Sequence, residues 1–336
     1  MNPPERITVL GFGSWGAAIA CHLYQQGYSV TAWHKFPEEI GDIRNSGYHN
    51  LLPELKIPPE LPLTDDLDTA VSGCTMLVVA VPSHIVRILF SDLKHSLPDP
   101  ILVVNLAKGI ENDSLLTMSQ VIEEVAGVPA ESVVTLYGPS HAEEVSQGMP
   151  TTIVASSTSL EQATRVQRVF SSPRLRVYTN PDILGAELGG SLKNVIAIAA
   201  GICDGIGFGD NTKAALLTRG ITEITRLGVT MGAAMETFYG LSGIGDLIAT
   251  CLSRHSRNRY VGEEIGKGRQ LQDILGGMKM VAEGVKSTKS AWQLSRKYQV
   301  DMPITQAVYQ VLFEGKDPHQ AVEELMTRDL TEEKPY

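Results

Sequence analysis

The chain has 336 residues, 43% of them hydrophobic and 20% charged, which is enough for more than one packed core and unlike a disordered or fibrous composition. With 38 acidic against 28 basic side chains the net charge is −10, which argues against broad binding of nucleic acid or an anionic membrane but leaves room for a locally basic pocket. Cys21, Cys74, Cys203 and Cys251 show no CxxC spacing, so neither a metal site nor a disulfide framework is expected, and buried free thiols suit a reducing cytoplasm.

The N-terminal segment shows no basic start followed by an apolar stretch, and residues 7–10 read as a strand. The strand runs into Gly11-Phe12-Gly13-Ser14-Trp15-Gly16, and a helix follows to about Gln26. A lone G-x-G-x-x-G string is weak. Between a strand and a helix it has the context that a dinucleotide pyrophosphate requires: Gly11 for the tight turn, Gly13 for close backbone approach, Gly16 for helix–strand packing. Residues 29–33 read as a second strand that ends in His34 and Lys35. NAD-specific sites often place a carboxylate here for the ribose 2′-hydroxyl, whereas a lysine attracts a 2′-phosphate. The pattern therefore favours NADP(H) with NAD(H) still usable, and Lys35 as a solvated surface charge stays open as the plain alternative.

Residues 76–81, 102–106 and 133–136 are further strands, rich in Val, Ile and Leu without strict alternation, as expected of parallel strands covered on both faces. Residues 152–155 and 176–178 extend the sheet in a more mixed way. Ala80-Val81-Pro82-Ser83 closes one strand, and Asn105-Leu106-Ala107-Lys108-Gly109 sets a lysine just past another. Gly138-Pro139-Ser140-His141-Ala142 places small and polar groups in a similar position. Strand ends of such a sheet face the ligand crevice, although a lysine there is often a surface charge. After Pro181 the texture changes, with helices expected at 183–206, 212–232, 259–266, 286–298 and 304–313, and one more opening on an Asp317 cap and Pro318. The predicted architecture is an α/β chain: a Rossmann-like doubly wound sheet over residues 1–185, then a mostly α-helical domain over 186–336. The polar tail 331–336 is expected to fray. The longest apolar runs, such as 76–82 and 195–202, fall short of the ~18–20 residues of a membrane span.

Lys193, in Ser191-Leu192-Lys193-Asn194-Val195, sits in a long apolar helical stretch. Buried there, it must be paired or have a lowered pKa, and it can then give a proton to a carbonyl; the competing reading is a packed stem with the ammonium reaching solvent. Asp246 ends a glycine-dense loop and can either hold an ammonium or cap a helix. Ser256-Arg257-Asn258 precedes a helix and offers a cap, a guanidinium fork and an amide, as either a phosphate clamp or a polar helix start.

The pieces GFGSWGAAIA, NLAKGI, LYGPSHAEEV, SLKNVIAIAAGI, GLSGIGDLIATC, SRHSRNR and VAEGV, in this order and across nearly the whole chain, resemble bacterial-type NAD(P)-dependent glycerol-3-phosphate dehydrogenases. The resemblance implies interconversion of dihydroxyacetone phosphate and sn-glycerol 3-phosphate, supplying phospholipid synthesis, with no metal. It implies Lys193 as proton donor and acceptor. It also implies Lys108, Gly138, Ser140, Asp246, Ser256, Arg257 and Asn258 around the substrate. Around the cofactor it implies Ser14, Trp15, His34, Lys35, Lys108, Ala142, Arg257, Val281 and Glu283, beside Gly11, Gly13 and Gly16. Tyr137 and His141 depart from the family pattern. A dehydrogenase of another hydroxy acid or sugar acid would keep the cofactor domain but not need Ser256–Asn258. A non-catalytic cofactor sensor would not need Lys108, Lys193 and Asp246. The partner expected is a small molecule, without nucleic acid or membrane insertion; the oligomeric state is left open, a homodimer included.

Overall fold

The computed structural model describes residues 5–278, 280–330 and 332–333; apart from 332–333, the tail expected to fray lies outside them. The chain divides into two compact units, one of Met1–Ala107 with Met118–Ile183, the other of Lys108–Thr117 with Leu184–Tyr336.

In the first unit β1 (Arg6–Leu10) leads to α1 (Ser14–Gln25), β2 (Ser29–Trp33), α2 (Pro37–Ser46), a hairpin of β3 (Tyr48–His49) and β4 (Leu52–Lys56), β5 (Leu63–Thr64) and α3 (Leu67–Val71). Then come β6 (Met76–Val79), α4 (Val86–Leu93), β7 (Leu102–Asn105), α5 (Met118–Ala126), β8 (Val133–Tyr137), α6 (Ala142–Ser146), β9 (Thr151–Ser156), α7 (Leu160–Phe170) and β10 (Leu175–Asn180). The strands align in the order β10-β9-β8-β7-β6-β1-β2-β5. All pairs are parallel except β8–β9, which is the mixed extension expected. Every residue of β6, β7 and β8 is buried, which explains their unbroken apolar runs. β6 ends at Val79, two residues earlier than expected, where Pro82 cannot continue a ladder.

From β1 the chain proceeds to β2 on one side, while β6 lies on the other, so strand order reverses between β1 and β6. The crevice of such a sheet opens at that reversal, beyond the strand C-termini. Gly11 occupies it with φ +97°, a left-handed conformation favouring glycine, and a Cβ there would lie 2.9 Å from the Ala80 carbonyl. The strand end at Ala80–Val81 thus forms one wall of the glycine turn.

The second unit is built around α8 (Ile183–Ile206), followed by α9 (Asp210–Thr230), α10 (Met235–Phe238), α11 (Asp246–Leu252), α12 (Arg257–Gly266), α13 (Leu271–Gly276), α14 (Glu283–Tyr298), α15 (Pro303–Phe313) and α16 (Pro318–Met326). Contrary to the reading of its apolar runs, α8 at 24 residues is long and apolar enough to cross a membrane by length and composition. Its residues from Gly185 to Cys203 are buried inside the unit, so it is the core helix around which the others pack.

α8 and α12 touch backbone to backbone. A Cβ on Gly201 would stand 1.9 Å from the Arg259 carbonyl oxygen, and one on Gly262 would stand 2.0 Å from that of Ile198. Asp204 then bonds Arg259 Nε at 2.6 Å and Lys213 Nζ at 2.5 Å, tying α8 to both α12 and α9. Gly201→Val should therefore force the two helices apart and lower unfolding free energy by about 1–3 kcal/mol, read from urea denaturation. Elsewhere a buried carboxylate does the work of a missing cap. Met302 has no side-chain acceptor for α15, and Glu223 of α9 accepts from the N–H groups of Ile304 at 2.6 Å and Thr305 at 3.2 Å. Burial pushes that carboxyl up to about 7 against these donors.

The four cysteines are free and buried. Burial pushes the thiols of Cys21 and Cys251 to about 12 and that of Cys203 to about 11, leaving them inert at neutral pH.

Candidate active site

The second unit gathers three of the residues singled out by sequence. Lys193 lies in the middle of α8, Asp246 opens α11, and Lys108 belongs to the short excursion Lys108–Thr117. That excursion is fastened to α14 by the Ser290 hydroxyl, which donates to the Ile110 carbonyl at 2.9 Å. Asp246 accepts from both ammonium groups at 2.6 Å, from Lys108 on Oδ2 and from Lys193 on Oδ1. Asp246 is not the N-cap of α11; Gly245 holds that position. Nor does Lys193 reach solvent: its side chain is 6% exposed, against 19% for Lys108.

Two cations on one carboxylate leave a net positive cluster. Burial pushes Lys193 down to about 8; the Asp246 carboxylate resists this and the Lys108 charge adds to it. Burial alone would raise the Asp246 carboxyl, but the two ammonium groups outweigh it and hold the pKa below the usual range. Lys193 also donates to the Thr250 hydroxyl. An ammonium has three N–H groups, so two are spent on protein and one remains for a carbonyl oxygen. Sequence reading missed Thr250; the available signal was its spacing of four from Asp246 on α11, which puts both on one face.

The neighbours of these residues form a second junction. Ser256 caps α12 by accepting from Arg259 N–H at 3.2 Å. The Asn258 amide donates to Asn194 Oδ1 at 2.9 Å and accepts from Gly284 N–H at 2.9 Å. Asn194 follows Lys193 and Asn258 follows Arg257, so one side-chain bond couples the lysine's helix to the arginine's. The Arg257 side chain is exposed and, among the described residues, engages no partner. Exposed Val281 and half-buried Glu283 stand at the start of α14, beside the Gly284 that meets Asn258.

The first unit holds the remaining expected residues. Gly11, Gly13, Ser14, Trp15 and Gly16 form the turn from β1 into α1. Lys35 is exposed beyond β2, whereas His34 is buried with Nε2 2.9 Å from Glu39 Oε2. Gly138 follows β8 at φ +140°, the Ser140 hydroxyl donates to its carbonyl at 2.9 Å, and Ala142 opens α6. Tyr137, one of the two departures from the family pattern, is fully buried; its hydroxyl donates to the Ala107 carbonyl and accepts from the Asn105 amide at 3.2 Å. It thus braces the strand end that precedes Lys108.

The turn from β1 fits a dinucleotide by its own geometry. A Cβ on Gly13 would meet nothing within 4 Å, so its backbone is open on that side, while one on Gly16 would lie 1.9 Å from Gly11 O. The start of α1 is therefore packed tightly onto the turn, which brings a helix N-terminus to the end of β1.

Residues 6–163 match the N-terminus of NAD-dependent glycerol-3-phosphate dehydrogenase and residues 182–323 its C-terminus. A glycerol-3-phosphate dehydrogenase [NAD(P)+] of Chlorobium phaeobacteroides is 52% identical, over 98% of this chain and 100% of that one. One from Salinibacter ruber is 49% identical, over 97% and 96%. The crystal structure of glycerol-3-phosphate dehydrogenase from Coxiella burnetii matches with a TM-score of 0.92 at 34% identity, covering 97% of this chain and 99% of that one. D-mandelate dehydrogenase, at 14% identity and a TM-score of 0.61 over 92% and 98% of the two chains, shares the fold alone. The chain therefore belongs to the NAD-dependent glycerol-3-phosphate dehydrogenase family.

Proposed function

We propose that the protein interconverts dihydroxyacetone phosphate and sn-glycerol 3-phosphate with NAD(P)(H), in the cytoplasm, providing glycerol phosphate for phospholipids. The observation that carries this reading is the single buried carboxylate holding two ammonium groups, Lys108 from the excursion and Lys193 from α8, the helix that Asn194 also ties to Asn258. The glycine turn from β1 would hold the dinucleotide, and the nicotinamide supplies the hydride when bound.

The chain's own groups do the rest. Lys193, lowered to about 8, gives its remaining N–H proton to the carbonyl oxygen as that oxygen gains charge. Lys108 stabilises the same developing charge, and Asp246 keeps both ammoniums in place without taking the proton. Arg257 and the α12 N-terminus hold the phosphate, so that binding energy remote from the carbonyl orients the ketone. In the oxidative direction neutral Lys193 accepts the alcohol proton. Rates of reduction should therefore fall, and rates of oxidation rise, as pH passes about 8.

Exposed Lys35 and the lack of a carboxylate at the end of β2 support a preference for NADP(H), with NAD(H) also accepted. Initial rates of dihydroxyacetone phosphate reduction with NADPH and NADH separately test both the reaction and the preference. No turnover with either cofactor overturns the assignment. Arg257→Ala tests the phosphate role. Loss of a charge-assisted bond predicts a fall in kcat/KM of roughly 10–100-fold for dihydroxyacetone phosphate, and far less for unphosphorylated dihydroxyacetone. Equal losses on both remove Arg257 from phosphate binding.

A further inference from the structure

A buried histidine in the first unit lies outside all of the motifs above. His49 ends β3 and is 3% exposed. Its Nδ1 accepts from Leu51 N–H at 3.2 Å, which places the ring proton of the neutral form on Nε2. Nε2 then donates to the Phe12 carbonyl oxygen at 3.0 Å. The two rings meet edge to face with centroids 5.7 Å apart. Burial lowers the imidazole pKa, in keeping with a neutral ring.

Phe12 stands between the two glycines of the turn. In a trans peptide the carbonyl and the following N–H point in opposite directions. Drawing Phe12 O toward the hairpin therefore aims the Gly13 N–H away from it. On Gly13 the backbone is open, and among the described residues its N–H has no acceptor. Glycine on its C-terminal side gives this peptide plane added rotational freedom about φ of Gly13, so an external brace has something to fix.

We propose that His49 is a positioning residue for dinucleotide binding, locking the Phe12–Gly13 peptide so that the Gly13 N–H is presented to the pyrophosphate. This rests on the reading of the glycine turn as the cofactor cradle. The brace acts before binding: the plane is already set, and the ligand does not have to order it.

The test is titration of NADPH and of ADP-ribose, which shares the pyrophosphate, into wild-type protein and His49 variants, followed by fluorescence or calorimetry. His49→Phe keeps the aromatic contact and removes the bond. Loss of one hydrogen bond of ordinary strength predicts on the order of tenfold weaker binding of both ligands. His49→Gln, whose amide can donate to Phe12 O, should recover to within about threefold of wild type. KM for dihydroxyacetone phosphate and kcat at saturating cofactor should move less than about twofold, a split that general loosening of the fold would not give. Unchanged affinity in His49→Phe, or His49→Gln as weak as His49→Phe, overturns the proposal. Should His49→Phe not fold, His49→Asn, too short to reach Phe12 O, takes its place and unchanged affinity overturns the proposal equally. Failure of the wild type to bind either ligand instead overturns the cofactor reading.

Discussion

Lys193→Ala should reduce kcat for dihydroxyacetone phosphate reduction on the order of 10³-fold while leaving KM for the phosphate ester within a few-fold. The expectation follows from what the side chain alone supplies. General acid catalysis by a positioned group is worth about 10²–10⁴-fold, most when its pKa lies near the working pH, and burial brings Lys193 to about 8. The substitution leaves the proposed phosphate contacts of Arg257 and α12 in place, so binding should persist and the loss should appear in turnover. The same variant should lose the break in rate near pH 8, because the group that titrates there is gone. A kcat close to wild type, or a retained break, removes Lys193 as the proton donor. The truncation also leaves Asp246 with one cation instead of two, so circular dichroism and thermal melting should accompany the kinetics to separate lost chemistry from a loosened helix.

Strands β1, β2 and β6 to β10, the glycine turn and α8 were legible in the sequence because each is dictated locally, whereas the short β3, β4 and β5 were not expected. Continuous Val, Leu and Ile runs report two covered faces in β6, β7 and β8, and a lysine in the middle of a long helix with few charges marked Lys193. Asp246 was ambiguous by residue type, since a carboxylate after glycines serves a helix start as readily as an ammonium. Only three-dimensional placement decides, and it sets two lysines on that one carboxylate. Nothing in the apolar pattern marks the segment Lys108–Thr117 as part of the helical unit, because its placement depends on long-range bonds such as Ser290 to Ile110. The Asn194–Asn258 bond and the His49 brace join residues 64 and 37 positions apart, with no local periodicity to reveal them. The close contact of α8 with α12 was carried by glycines, whose spacing in sequence is equally compatible with loops.

Asp246→Asn should be nearly as damaging as loss of the lysine, for a different reason. The amide keeps the shape of the carboxylate, but its oxygen can accept from only one ammonium and its NH₂ is turned toward the other. Removing one member of a buried ion cluster commonly costs about 3–5 kcal/mol, because the remaining charges are left uncompensated. The cluster can relieve this by giving up a proton. Burial and the Lys108 charge already lower the Lys193 pKa, and Asp246 is the group that opposes them. Without that charge the Lys193 pKa should fall further below about 8, and the lysine should be largely neutral at pH 7. Reduction needs the protonated form, so its rate at pH 7 should drop on the order of 10²-fold or more, and the pH above which it declines should move down by about one unit or more. Oxidation needs the neutral form, so its onset should move to lower pH in the same variant. Rate profiles in both directions from pH 5 to 10 measure this. A uniform loss with the break left near pH 8 would reduce Asp246 to a spacer, whereas opposite consequences for the two directions at neutral pH follow only if its charge sets the proton affinity of Lys193.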